Sequence, residues 1–272
     1  MHQRLVLLAP ADATIPSTFE NTDVDQQRHS RLLSELQRLR GGIYLRDGAV
    51  QVNQLSVEGL HQTPEDDRSW HLLMVDKFGK VDACVWYMEH QPTIAVDRLR
   101  VRHSPLAQEA GSRQLLWSAV EQELAKARSE GLGYAEVGGW AVAEKNRCTS
   151  EGLVLALAGY SLGQMLGGAL GMTTATVRHC SSTILRRLGG SDLTVGEHKI
   201  PAYYDPKYKC EMELLRFDSR RPTAKYRALV DMLKEKLAEV LVVVPSASRA
   251  TAPTFRALGG FAPMEDAYVL AS

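Results

Sequence analysis

Between Gly152 and Val177 the chain carries no charged side chain, and a run of that kind has few ways to fold. It either crosses a bilayer, for which it is long enough, or lies wholly inside a protein core. Gly159, Gly163 and Gly167 recur within it every four residues, the spacing by which membrane helices pack closely. Tyr160, Ser161 and Gln164 interrupt its first part, and Gly171 breaks the run before the β-branched stretch MTTATV. These interruptions favour a buried helix to about Leu170 followed by a buried strand over residues 172–177. Glycines on one helical face would let that helix sit close on a sheet. A membrane helix over residues 152–170 is the alternative.

The segment that leads into this run, YAEVGGWAVAEKNRCTSEG from Tyr134, reads as a strand bearing one acid, Glu136, and a glycine pair, Gly138 and Gly139. The strand ends in a turn holding Arg147, and the helix opens directly after it. A strand running into a helix N-terminus collects free backbone N–H groups and the positive end of the helix dipole, which suits a phosphorylated ligand. An acid upstream on the same strand would face what that ligand delivers, so the pattern points to group transfer from a phosphate-bearing carrier.

Composition narrows the classes. With 272 residues, 44% of them hydrophobic, the chain can bury one sizeable core or two modest ones. Lys plus Arg equals Asp plus Glu at 32 each, so no net field draws in nucleic acid or an anionic membrane. The N-terminal MHQRLVLLAP has too short an apolar run, and no cleavage-site pattern, for a signal peptide. Cys84, Cys148, Cys180 and Cys210 lie far apart with no CxxC pair; they read as reduced thiols of a cytoplasmic protein, with no metal site.

The rest of the chain alternates strand and helix signals. Residues before about Thr22 look irregular apart from 4–9. Leu32, Leu33, Leu36 and Leu39 predict a helix over 23–40 that stops at Gly41-Gly42. Strand-like residues over 43–55, broken by Asp47-Gly48, predict a hairpin. A second hairpin joins 70–76 to 81–90 through Lys77-Phe78-Gly79-Lys80, and 94–101 predicts a third strand. Pro105 opens a helix to about Glu130. After the central strand, helix and strand come a short helix over 181–188, a strand pair at 199–204 and 210–217, and a helix over 222–237. A strand at 240–244, a helix at 254–258 and a strand at 268–271 close the chain. The Leu-Gly-Gly at Leu188 is echoed at Leu258. Such alternation predicts an α/β or α+β sheet with helices on its faces.

Three segments carry a resemblance to a known family. Leu39-Arg40-Gly41-Gly42-Ile43-Tyr44 resembles an N-terminal helix-to-strand junction, and Asp66-Asp67-Arg68-Ser69-Trp70-His71-Leu72-Leu73 an acidic turn entering a first hairpin. Ala135-Glu136 followed by Trp140-Ala141-Val142 and Arg147 resembles an acid-bearing strand with its donor-binding turn. With the order of elements over roughly residues 30–220, they resemble the GNAT acyltransferase superfamily, in its branch of N-acyl amino acid synthases and acyl-homoserine-lactone synthases. The resemblance implies an α/β (α+β) fold with a central mixed, mostly antiparallel sheet flanked by helices and a C-terminal strand-helix-strand addition. Residues 1–22 would be an irregular N-terminal segment, 23–221 the acyltransferase-like domain and 222–272 an extension packed on it.

The activity so implied is transfer of an acyl group, long-chain fatty acyl groups included, from a thioester to the amine of an amino acid or similar small molecule. Acyl-CoA or acyl-carrier protein would be the donor. Glu136 would take the proton from the attacking ammonium; an ordinary strand acid facing solvent or an arginine is the other reading. Trp140, Val142, Arg147, Thr149, Ser150 and Gly152 would hold the donor, and Arg178, Ser181 and Tyr204 the acceptor side. Tyr203, Tyr204 and Tyr208 either wall a pocket or pack a turn. Arg147 is otherwise a capping or surface-pair arginine, Cys180 a buried thiol and His71 a core histidine. One departure stands out: the superfamily's turn is Arg or Gln, two residues, Gly, one residue, Gly or Ala, whereas Cys148-Thr149-Ser150-Glu151-Gly152 follow Arg147. Thr149 and Ser150 hydroxyls would replace the lost glycine contacts, while Glu151 would repel a phosphate. That departure favours the alternative of a non-catalytic module that binds an acyl thioester or a protein partner.

Overall fold

Nearly every residue of the strand Val81–His90 is buried, so both faces of the sheet that contains it must be covered. The computed structural model, which describes residues 4–147, 149–178 and 180–245, covers them with helices. In chain order the elements are β1 (Arg4–Leu8), β2 (Thr22–Val24), α1 (Gln26–Arg46), β3 (Trp70–Val75), β4 (Val81–His90), α2 (Pro105–Gln108), α3 (Ala110–Ser129), β5 (Gly133–Val142) and α4 (Glu151–Met165). They continue with β6 (Ala169–Thr176), α5 (Ser181–Leu188), β7 (Ser191–Asp192), β8 (Thr194–Val195), β9 (His198–Lys199), β10 (Tyr203–Asp205), β11 (Cys210–Asp218), α6 (Arg227–Glu239) and β12 (Leu241–Val244). The helix expected at 254–258, the strand expected at 268–271 and the echo at Leu258, together with Cys148 and His179, lie outside the described residues.

One sheet runs β10-β11-β6-β5-β4-β3-β1-β12-β2, with β7 also on β11. It is mostly antiparallel; β5 with β6, β1 with β12 and β12 with β2 are the parallel pairs. Side-chain alternation divides the core. Leu7, Leu72, Ala83, Val85, Tyr87 and Ala135 face α4 and α6. On the other face Val6, Leu8, Leu73 and Cys84 meet α1, and Tyr134, Leu170 and Met172 meet α3. The N-terminal residues 4–8 are thus an interior strand, and β12 lies between β1 and β2.

The hairpin of β3 and β4 and helix α5 match expectation closely, and β5, α4 and β6 follow one another in the expected order. Other elements differ for identifiable reasons. Helix α1 does not stop at Gly41-Gly42 but runs to Arg46. A Cβ at Gly41 would stand 2.6 Å from the Gly59 carbonyl oxygen, so that glycine serves close packing. The hairpin expected over 43–55 is instead the end of α1, where Asp47 caps the helix and Gly48 takes φ 73°. The strand expected over 94–101 is two 3-10 turns, Val96–Arg98 and Arg100–His103. β4 already pairs with β3 and β5 and has no free edge to offer it. Helix α4 ends at Met165, and Gly167 and Gly168 turn the chain with positive φ. Of the spaced glycines, Gly163 lies against Ser219 and Tyr87, whereas Gly159 faces open space. Among the described residues no helix is long and apolar enough to cross a membrane.

Two of the segments that carried the family resemblance meet in a buried ion pair. Arg40 Nη2 lies 2.7 Å from Asp66 Oδ2, with side-chain exposures of 1% and 3%. Gln37 Nε2 and the Thr63 amide also donate to Asp66, and Arg40 Nη2 donates to the His61 carbonyl. Burial alone would raise the Asp66 pKa; the Arg40 charge and the hydrogen bonds outweigh it and hold the carboxyl below its ordinary value. His71 donates Nε2–H to the Asp66 carbonyl at 2.7 Å, and burial pushes this imidazole down to about 4.

Removing one partner strands the other charge in the core. Asp66→Ala should therefore lose ~3–5 kcal/mol in urea denaturation. The histidine gives a second expectation. Its folded pKa lies below the unfolded value of roughly 6.5, so the unfolded chain binds more protons between those values. Stability should be full above pH 6.5 and fall as the pH drops towards 4, with His71 contributing on the order of 2 kcal/mol of that loss at pH 5. In His71→Gln the difference between pH 7 and pH 5 should shrink; an unchanged difference would exonerate the histidine.

Candidate active site

Parallel strands β5 and β6 pair only from Gly133 with Ala169 to Val137 with Thr173. Beyond that point both continue unpaired with each other, β5 to Val142 and β6 to Thr176. The cause is visible on the other side of β5. Cys84 pairs with Ala141 and Trp86 with Gly138, so Gly139 and Trp140 together oppose Val85. This is a β-bulge, which bends a strand away from its neighbour. Gly139 has φ 64°, and Trp86 lies flat on both glycines: a Cβ at Gly138 would be 2.5 Å from its ring and one at Gly139 2.2 Å. The glycine pair accordingly packs under Trp86 and not under α4. Along the splay the β5 edge facing β6 has no strand partner, so its peptide groups can serve a developing oxyanion.

Glu136 sits at the foot of the splay, 4% exposed, on the face of β5 towards α3. Its Oε2 accepts the Arg100 amide at 2.9 Å and faces His90 Nε2 at 3.1 Å, while Oε1 accepts the Val101 amide at 3.1 Å. The acid therefore takes up the amides of the turn that follows β4. Of the roughly four lone-pair directions of a carboxylate, three are engaged and one on Oε1 is open.

The residues expected at the donor, together with Arg178 from the acceptor side, fall into two groups. Trp140, Val142 and Gly152 meet where α4 starts: a Cβ at Gly152 would be 3.2 Å from Trp140 and 3.4 Å from Val142. Arg147 and Arg178, from the turns after β5 and β6, converge instead on Asp47 at the end of α1. Arg147 Nη2 pairs with Asp47 Oδ2 at 3.1 Å, and Arg178 Nη2 donates to the Asp47 carbonyl at 3.0 Å. Thr149 donates to the Asn146 carbonyl and lies against Glu151. Ser150 is the N-cap of α4 but makes no side-chain capping bond, so the first-turn amides of α4 have no serine oxygen over them.

On the acceptor side the structure amends the expectation. Ser181 Oγ lies 3.3 Å from Thr176 Oγ1, at the end of β6 that pairs with β11 and not with β5, but Tyr204 points outwards, 59% exposed, because it alternates with the buried Tyr203 on β10. Tyr208 turns inwards, edge to face with Tyr44 at 6.3 Å, and Tyr44 meets His61 at 5.5 Å. Cys180 is exposed, contrary to its reading as a buried thiol. The sequence pattern does not single out Trp86, His90 or Arg100; each belongs to an apolar or basic stretch whose pattern signals burial or solvation. Two clefts of about 640 and 400 Å³ flank α3, one lined by Ile94 and Glu121, the other by Arg102 and Trp117; Glu136 lines neither.

Solved structures share this arrangement of elements. A CoA-dependent acyl-homoserine lactone synthase, BjaI, bound to SAM and isopentyl-CoA, superposes with a TM-score of 0.53 at 13% identity, over 89% of this chain and 93% of that one. Another CoA-dependent acyl-homoserine lactone synthase, MesI, gives 0.50 at 13% identity over 85% and 95%. FeeM, an N-acyl amino acid synthase from uncultured soil microbes, gives 0.43 at 10% identity over 81% and 93%. The chain thus has the GNAT-like fold of the acyl-homoserine lactone synthases. No protein-family model matches it, and no curated protein matches it by sequence.

If the bulge is held open by the two glycines, Gly139→Ala should be the more damaging of small substitutions on β5, since it meets both positive φ and the Trp86 ring. A loss of roughly 2–3 kcal/mol in chemical denaturation is expected. A neutral outcome would mean that the strand keeps its course without the glycine.

Proposed function

We propose that the protein is an N-acyltransferase that moves an acyl group from a thioester donor to the amine of an amino acid or similar small molecule. The observation that carries this reading is the splay of β5 from β6 at the Gly139 bulge, with a buried carboxylate at its foot and the N-terminus of α4 at its mouth. A thioester arm laid along the open edge of β5 would pair with its free peptide groups as an added strand does. Its carbonyl oxygen would then lie against N–H donors already held in place. The structural neighbour solved with isopentyl-CoA supports acyl-CoA as donor by analogy of fold, and an acyl-carrier protein is the second donor of the same chemistry.

Each residue then has a stated task. Glu136 takes the ammonium proton on the one open lone pair of Oε1, while His90 and the amides of Arg100 and Val101 keep the carboxylate in place. Arg147 meets donor phosphate after giving up the Asp47 carboxylate, and Arg178, on the acceptor side, stands beside it on the Asp47 carbonyl. Trp140 and Val142 brace the first turn of α4. A cytoplasmic setting accords with free Cys84, Cys180 and Cys210.

A second reading is supported by two observations: Arg147 is paired with Asp47, and the Glu151 carboxylate stands in the first turn of α4. On that reading the chain binds thioesters without turning them over. Release of free thiol from acyl-CoA and acyl-carrier-protein panels, with mixed amino acids and mass detection of N-acyl products, separates the two. Under the catalytic reading Glu136→Gln should lower kcat by about a hundredfold or more, with a smaller change in donor KM. Full turnover in that variant would remove Glu136 from the chemistry.

A further inference from the structure

The Arg100 side chain has no task in the reading above. Its amide is tied to Glu136 at 2.9 Å, so its Cα is fixed against the strand that carries the bulge. From there the side chain crosses the indole of Trp86, with Cζ 5.7 Å from the ring centroid. Trp86 in turn covers Gly138 and Gly139. The guanidinium therefore stands one aromatic layer above the splay, within the length of its own side chain from the Glu136 carboxylate.

Its hydrogen-bonding state is specific. Nε forms an ion pair with Glu65 Oε1 at 3.2 Å, and among the described residues neither terminal nitrogen makes a hydrogen bond. A guanidinium oriented through Nε presents its two terminal N–H groups side by side, which matches the two oxygens of a carboxylate. The surroundings favour such a guest over water. The side chain is 35% exposed, and Trp86, Tyr44 and Tyr208 supply aromatic walls. Burial works against the Arg100 charge, but the neighbouring carboxylates of Glu65 and Glu136 help to raise its pKa, and an arginine is cationic at neutral pH. His61, behind Tyr44, is pushed down to about 4 by burial and by the charges of Arg40 and Lys207 and does not compete as a second cation at neutral pH.

We propose that Arg100 receives the carboxylate of the acceptor, so that the amine substrate carries a carboxylate close to its nitrogen and neutral amines are rejected. This rests on the acyl-transfer reading of the same site. It extends that reading by naming the recognition residue: the ammonium end meets Glu136 and the carboxylate end meets Arg100, which together orient a zwitterion across the splay.

The test is binding, which needs no turnover. Isothermal titration of the full chain with the common amino acids and with their matched carboxamides should show at least one acid bound about tenfold or more tighter than its amide. In Arg100→Gln that ratio should fall to about one while the thermal midpoint stays near wild type, and Arg100→Lys should recover part of it. A merely structural role would weaken acid and amide alike and leave the ratio unchanged. Equal binding of acids and amides by the wild type, no binding of any acid, or an unaltered ratio in Arg100→Gln would each overturn the assignment. Thiol release separates this from the broader reading. Acyl transfer to carboxamides as readily as to acids would remove the role of Arg100 and leave the acyltransferase standing. Absence of release with every amine would remove the acyltransferase, and the titration ratio would still decide Arg100.

Discussion

Trp86 lies flat on two glycines of the neighbouring strand, and the rest of the site depends on that contact. With any side chain at Gly138 or Gly139 the indole would have to leave, because a Cβ would come within 2.5 Å of it. With the indole in place, β5 must carry an extra residue opposite Val85. That residue turns the strand out of its ladder with β6, and the gap so formed faces the first turn of α4. Arg100 then finds its platform on the outer face of the same ring.

Buried charge holds the surrounding pieces to this centre. Glu136 binds the turn after β4, and Asp66 with Arg40 binds helix α1 to the segment that enters β3. Both carboxylates are almost wholly shielded from water, and burying a carboxylate is tolerable only when its lone pairs are met. Three donors meet Glu136, and Asp66 is met by Arg40, Gln37 and Thr63. The pairs at Asp47 are of another kind. They lie at the surface, where an ion pair is worth about 0–1 kcal/mol, so they can exchange partners at little cost.

Much of this was legible in order along the chain. The hairpin of β3 and β4 is announced by two apolar runs around Lys77-Phe78-Gly79-Lys80, and the uncharged run after Gly152 announces a buried helix and strand. A local signal misleads where it serves a distant partner. Gly41-Gly42 looks like a helix stop, yet Gly41 is small because Gly59 passes beside it. Residues 94–101 look like a strand, yet the amides of Arg100 and Val101 go to a carboxylate 35 or 36 positions away. Tyr203 and Tyr204 are equivalent to the eye of a composition count. Only the alternation of β10 sends one inwards and the other out.

The sequence by itself determined which segments must be buried, where acids and glycines sit on the central strand, and that helix follows strand there. Those are matters of local pattern: periodicity, charge and backbone freedom act over a few residues. The tertiary structure alone decided which side chains share the site. Trp86, Glu136, Arg100 and Tyr208 come from four separate segments, and only the pairing of strands in space brings an indole over a glycine pair and a guanidinium over the indole.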